Sequence, residues 1–223
     1  MDATARLRGR LVDDLVSQGL IRSPRIEAAF RAVPRHLFIP RVSLEEAYED
    51  EAIITHFAGG KPVSSCSQPA IMAEMLHQLS VEEGDHVLEV GAGTGYNAAL
   101  LAHLAGPTGH VTSIDIDDRF VREARARLAA AGFPGVEVLT ADGHDGYATK
   151  APFERIMVTA AAWQVAPAWD EQLAPGGRLV VPLAHPGAPP IQESTCFEKG
   201  PGGLRLISAV PCGFISMRRP EAT

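Results

Sequence analysis

The chain has 223 residues, 46% of them apolar and 21% charged, with a formal net charge of −7. That length accommodates one doubly wound domain with additions and a sizeable core, and the acidic balance argues against a nucleic-acid partner, which asks for a basic face. No apolar run approaches the ~20 residues that a bilayer span needs, and the N-terminus carries Asp2, Arg6, Arg8 and Arg10 rather than a secretory core, so a cytoplasmic, membrane-free monomer is expected.

Leu7, Leu11, Leu15 and Val16 recur at helical spacing, which predicts an amphipathic helix ending at Gly19. Ser23-Pro24 reads as a cap and first-turn proline, and Ile26, Ala29, Phe30 and Val33 give the next helix its buried face. The run VPRHLF (33–38) stops it; Arg35 and His36 read there as surface polar residues, with substrate contact as the alternative. Residues 47–61 read as an irregular stretch ending in two glycines. The segment PVSSCSQP (62–69) then enters a helix whose apolar face is Ile71, Met72, Met75, Leu76 and Leu79. Pro69 suits the first helical position, so Ser67 or Gln68 is the expected cap. A cap leaves Ser64 and Ser65 unexplained. Hydroxyls and free amides at a helix mouth favour a carboxylate, because dipole and unpaired N–H groups both attract negative charge.

The stretch DHVLEVGAGTG (85–95) follows. His86–Val90 is a short apolar strand broken at once by Gly91, Gly93 and Gly95, which let it turn sharply into a helix beginning near Tyr96. A second strand over 111–114 ends at Asp115, placed to accept both hydroxyls of a ribose. Strand, glycine turn, helix, strand and acid make a nucleoside-binding half-fold. The spacing is G-x-G-x-G with Glu89 in front, whereas a pyrophosphate site runs G-x-G-x-x-G on a helix N-terminus. A carboxylate there repels phosphate and suits an ammonium group. VLEVGAGTG is similar to the first motif of the class I methyltransferases, which implies S-adenosyl-L-methionine as cofactor, held by Glu89, Gly91, Ala92, Gly93, Gly95, Asp115 and Ile116.

The alternation continues with a helix over 118–131 and a strand over 136–140. Asp142 and Gly143 stand at that strand's carboxyl end, where Asp142 can accept from an adenine amino group. Strands over 155–159 and 178–183 flank a short helix at 167–173, and 192–198 with 204–210 read as a closing hairpin. The expected architecture is therefore α/β, a Rossmann-like doubly wound sheet forming one domain. Residues 1–80 supply a helical cap and substrate segment, 81–185 the cofactor core and 186–223 the hairpin, with 186–190 as a loop. Cys66, Cys196 and Cys212 match no zinc pattern and read as free thiols, so no metal is expected.

With these pieces in place the chain resembles the protein-L-isoaspartate O-methyltransferase family over nearly its whole length. The matching phrases are AAFRAVPRHLFIP (28–40), AYEDEA (47–52), SQPAIMAEML (67–76), VLEVGAGTGYNAALLA (87–102), ADG (141–143), APFERIMVTAAA (151–162) and LAPGGRLVVP (173–182). The resemblance implies carboxyl O-methylation of an aspartyl or isoaspartyl residue in a protein or peptide, with a catalytic serine at Ser64 or Ser67. Ser65, Gln68, Thr55 and His56 are the further substrate-contact candidates. Two departures stand out. The run from Gly60 to Pro69 is a few residues longer than the family's usual phrase, and 210–217 differs from its usual closing strand. Such departures resemble the branch that modifies ordinary aspartates in ribosomally made peptides.

A carboxylate, with a pKa of about 4, is already ionised at neutral pH, so methylating it needs no general base. The expected work of the protein is alignment of that oxygen and exclusion of water. A small-molecule methyltransferase and a non-catalytic binder of the same cofactor are the rival readings.

Overall fold

The structure, a computed structural model, describes residues 2–187 and 191–218; the end of the predicted loop at 186–190 and the last five residues of the chain lie outside them. The centre is a seven-stranded sheet. Its strands are β3 (His86–Val90), β4 (His110–Asp115), β5 (Glu137–Thr140), β6 (Phe153–Val158), β7 (Leu173–His185), β8 (Ile191–Gly200) and β9 (Gly203–Cys212). Their spatial order is β5-β4-β3-β6-β7-β8-β9, parallel as far as β7 and antiparallel beyond it. The chain winds outward from β3 to β5 and then crosses back to lay β6 on the other side of β3. That reversal opens a crevice at the carboxyl ends of β3, β4 and β6, where ligands of such sheets sit.

Both faces of the sheet are covered, so its central strands are buried on both sides rather than alternating between core and solvent. Leu88 stands beside Ile156, and Ile156 beside Leu179; this row packs with Phe153 and with Trp169 of α7 (Pro167–Gln172). Val87, Met157 and Val180 face the other way, against α4 (Pro69–Leu79) and α5 (Tyr96–Ala105). Glu89 stands in that second row between Met157 and Ser113 and is fully buried. The helices α1 (Ala3–Ser17), α2 (Pro24–Ala32) and α6 (Asp118–Ala130) complete this side. α1 and α2 bury Leu11, Leu15, Ile26, Ala29 and Phe30 on the predicted stripes, and Val12 as well, while Val16 stays 38% exposed.

Two stretches fold otherwise than the sequence suggests. Residues 47–61 are not irregular: a short helix α3 (Leu44–Ala47) precedes the strand β1 (Ile53–Ala58), which pairs antiparallel with β2 (Lys61–Cys66). The turn is Gly59-Gly60, both left-handed, at φ +55° and +76°. A Gly-Gly hairpin signal is present in the sequence, but the register slips on either side of His56 and blurs the alternation. The second difference is Arg35, in a 3-10 turn (Arg35–Phe38) that α3 and α6 pack against. It is not a surface residue but completely buried.

Candidate active site

The glycine turn is built by β3 ending one residue before it. The N–H groups of Gly91 and Ala92 both donate to Ile114 O, at 2.8 and 3.0 Å, which pulls the turn onto the end of β4. Gly91 holds φ +104°, and a Cβ there would lie 2.5 Å from the Thr159 hydroxyl, which donates to Gly91 O at 2.7 Å. Gly93 (φ +49°) faces β2: a Cβ on it would sit 3.6 Å from Ser65 O and 3.8 Å from Ser64 Oγ. The serine segment therefore lies directly on the glycine turn. Gly95 does not line the cavity; it packs towards Ala124 and Leu128 of α6.

One cavity joins these parts. Its lining includes Ser64, Ser65, Ser67, Glu89, Gly91, Ala92, Gly93, Asn97, Asp115, Ile116 and Gly143, with residues 215–218 across the top. That final segment is laid over the sheet's edge by two backbone bonds, Ala161 N to Ile215 O at 2.9 Å and Met217 N to Ala161 O at 2.8 Å. Arg218 reaches Asp117 at 3.9 Å and stands 5.7 Å from the centre of the Phe120 ring, which also lines the cavity.

The electrostatics are set by two carboxylates. Glu89 accepts from Asn97 Nδ2 at 2.7 Å and from the Ser113 hydroxyl, both neutral donors. Burial pushes its pKa up from 4.5 to about 7. Asp115 accepts from the N–H of Gly93 at 3.0 Å and of Asp117 at 3.1 Å, and burial raises its pKa too. Asn97 Oδ1 is buried and has no hydrogen-bond partner among the described residues. A buried acid without a cation, next to an unpaired carbonyl, is a poor seat for phosphate and a good one for an ammonium group. Asp115, one strand away, keeps oxygen lone pairs for hydroxyls. The arrangement fits a nucleoside carrying a cationic amino-acid head.

Not every predicted residue is brought together. Ser64, Ser65, Ser67 and seven of the cofactor candidates (Glu89, Gly91, Ala92, Gly93, Asp115, Ile116 and Gly143) share the cavity. Asp142 is not among its lining residues; its carboxylate caps the next turn, accepting from His144 N at 2.9 Å. Thr55 stands behind the serines and donates to Ser64 Oγ at 3.0 Å. His56 packs on Phe120, with ring centres 4.8 Å apart, and lies 3.6 Å from Glu123; desolvation lowers its pKa. Gln68 lines a neighbouring groove with Ala52, Ser65, Ser67, Ile71, Cys212 and Phe214.

Ser65 and Ser67 line both the cavity and that groove, whereas Ser64 lines the cavity alone and is 6% exposed. The helix cap is shared between two residues. Gln68 holds the N-cap position of α4, as one expected alternative has it, but its side chain makes no capping bond; Asp50 supplies that bond, its Oδ1 accepting from Ala70 N at 2.8 Å while Gln68 Nε2 donates to its Oδ2 at 3.0 Å. A carboxylate is the stronger acceptor for an N-terminal N–H, which releases the serine for other contacts. Asn97, Thr159 and the segment 215–218 were not identifiable from sequence, since their places depend on strands far away in the chain.

A family model described as "Protein-L-isoaspartate(D-aspartate) O-methyltransferase (PCMT)" matches residues 6–217. A protein-L-isoaspartate O-methyltransferase of Ignicoccus hospitalis is 36% identical over 211 residues, covering 95% of this chain and 97% of that one. A solved structure titled protein-L-isoaspartate O-methyltransferase superposes with a TM-score of 0.82 at 30% identity, over 94% of this chain and 65% of that one. A second, from Plasmodium falciparum and titled a putative protein-L-isoaspartate O-methyltransferase in complex with S-adenosyl-L-homocysteine, has a TM-score of 0.79 at 17% identity. It covers 94% of this chain and 97% of its own, and supports the fold alone.

Proposed function

Since the chain belongs to the protein-L-isoaspartate (D-aspartate) O-methyltransferase family, we propose that it methylates the free carboxylate of an isoaspartyl residue in a protein or peptide. S-adenosyl-L-methionine, when bound, supplies the methyl on a sulfonium. The observation that carries the reading is the shared wall: Ser65 and Ser67 line the cofactor cavity on one side and the groove on the other. An acceptor held there meets the cofactor without leaving the protein.

Glu89 receives the cationic head, and Asn97 and Ser113 fix its two oxygens. Asp115 takes the ribose hydroxyls, while Gly91, Ala92, Gly93 and Ile116 form the floor. Gly143 stands at the base end, with Asp142 holding its turn. On the acceptor side Ser67, with Ser65 and the backbone of the helix mouth, orients the carboxylate by neutral donors; Ser64, already bonded to Thr55, positions the strand. A cation in direct contact would lower the oxygen's nucleophilicity, whereas hydroxyls and amides hold it in line and exclude water. No residue needs to remove a proton, because the acceptor arrives ionised. The ester then leaves, and the following backbone nitrogen displaces methoxide to close a succinimide, whose hydrolysis returns aspartate and isoaspartate.

We take the chain to be one catalytic domain acting as a cytoplasmic monomer, without nucleic-acid or membrane partners. Its acidic charge supports this, and among the described residues no helix is long and apolar enough to cross a membrane. The curated relatives point to isoaspartate rather than to aspartate tailoring. The test is methyl transfer from labelled cofactor to matched peptides containing isoaspartate or aspartate. Transfer to the isoaspartyl peptide is expected. Transfer to the aspartyl peptide alone would mean tailoring, and transfer to neither would remove the peptide reading in favour of a small-molecule acceptor or a binding protein.

A further inference from the structure

Arg35 sits inside the protein with all of its hydrogen bonds made to backbone carbonyls. Nη1 donates to Ala47 O at 2.9 Å and Glu49 O at 3.0 Å, and Nη2 to Glu51 O at 2.8 Å and Ser67 O at 3.1 Å. Glu49 and Glu51 offer only their backbones, and as residues both are exposed. Carbonyl dipoles solvate a guanidinium but do not neutralise it, so its field persists in a desolvated place. Among the described residues its hydrogen bonds reach no carboxylate, and a buried charge so placed is costly.

One of its four bonds reaches the backbone that walls the acceptor groove. Ser67 O, bonded to Arg35, belongs to the Ser67–Gln68 peptide group, whose N–H has no hydrogen-bond partner among the described residues; the same holds for Ile71 N–H. Gln68, Ile71, Ser65 and Ser67 all line the groove. A peptide group whose oxygen is bonded to a cation is polarised and donates more strongly from its nitrogen. We propose that Arg35 is a positioning residue that makes the groove selective for an anion: its charge, relayed through the Ser67–Gln68 peptide group, holds the substrate carboxylate without touching the oxygen that attacks. The inference rests on the acceptor site assigned above. At an effective dielectric near 20, a unit charge roughly 8 Å from a carboxylate favours an anion over a neutral isostere by roughly thirtyfold, a preference that the Asp50 carboxylate, bonded to Gln68 Nε2 and Ala70 N at the same helix mouth, opposes.

The experiment compares binding of two matched peptides, one with isoaspartate and one with its uncharged amide, isoasparagine, in the presence of S-adenosyl-L-homocysteine. Arg35→Gln is expected to weaken the carboxylate peptide by roughly ten- to thirtyfold while leaving the amide peptide and the cofactor product nearly unchanged. Equal weakening of both peptides, or loss of cofactor affinity, marks a purely structural role and overturns the proposal. So does an unchanged preference. If the variant does not fold, the wild type decides. Its carboxylate-to-amide ratio should hold from about 0.05 to about 0.5 M NaCl, because a buried charge escapes screening. A ratio that collapses with salt would assign the preference to solvent-accessible arginines such as the exposed Arg119 and the half-buried Arg218 and overturn Arg35's part. A wild type that methylates isoaspartate yet fails these comparisons loses only this inference; one that binds neither peptide loses the acceptor site as well.

Discussion

Glu89→Gln should make the cofactor-free protein more stable and the enzyme worse. The wild-type carboxyl titrates at about 7 in the folded state against an ordinary 4.5. Between those values the folded protein holds a proton that the unfolded chain has released, so wild-type stability falls as pH rises through the window. The full cost, reached above pH ~7, is about 3 kcal/mol. Below pH ~4.5 both states are protonated and the cost vanishes. A glutamine never ionises, and the site can satisfy it: Asn97 still donates to the amide oxygen, while the Ser113 hydroxyl turns to accept from the amide nitrogen. The variant should therefore melt near the wild-type temperature at pH ~5 and about 6–12 °C higher at pH ~8, for a chain of this size. Cofactor affinity should move the other way, falling at least about tenfold at pH ~8, since the cationic head loses a desolvated partner. In the wild type, affinity should rise with pH through ~7 as Glu89 ionises, and in the variant this dependence should disappear. Melting curves and calorimetry across that range are the assay. Two curves running parallel from pH ~5 to ~8 would refute the claim that Glu89 is a strained, uncompensated acid in the free enzyme.

Asp115→Ala should weaken cofactor binding by about 1–3 kcal/mol, since it removes the ribose acceptor and frees the Gly93 N–H; unchanged calorimetric affinity would move the ribose elsewhere. Ser67→Ala should lower turnover with the cofactor Kd kept, and Ser64→Ala should act more weakly because its hydroxyl is already engaged by Thr55; full turnover in both would displace the acceptor from the serine segment. Gly91→Ala places a methyl 2.5 Å from the Thr159 hydroxyl at φ +104°, and should cost at least about 1–3 kcal/mol in thermal stability. A wild-type melting temperature in that variant would mean the turn relaxes without penalty.

The amino-acid sequence determines the α/β class, all seven sheet strands and the cofactor loop, because each rests on short-range chemistry. A run such as His86–Val90 followed by alternating glycines has few conformations open to it, and an acid at a strand's end stays there whatever surrounds it. Tertiary structure alone decides the acceptor side. Gln68 takes the N-cap position, but Asp50, distant in the chain from α4, supplies the capping oxygen. Arg35 goes inside because four carbonyls from two segments, 47–51 and Ser67, converge on it. Whether Ser64 or Ser67 faces substrate depends on how the β1–β2 hairpin lies over Gly93. Glu89 is legible as a ligand, but its raised pKa is not: that follows from its place in a row with Met157 and Val180, which only the pairing of β3 with β6 and of β6 with β7 creates. Local rules fix the backbone's path, whereas burial and charge come from neighbours that the chain assembles at long range.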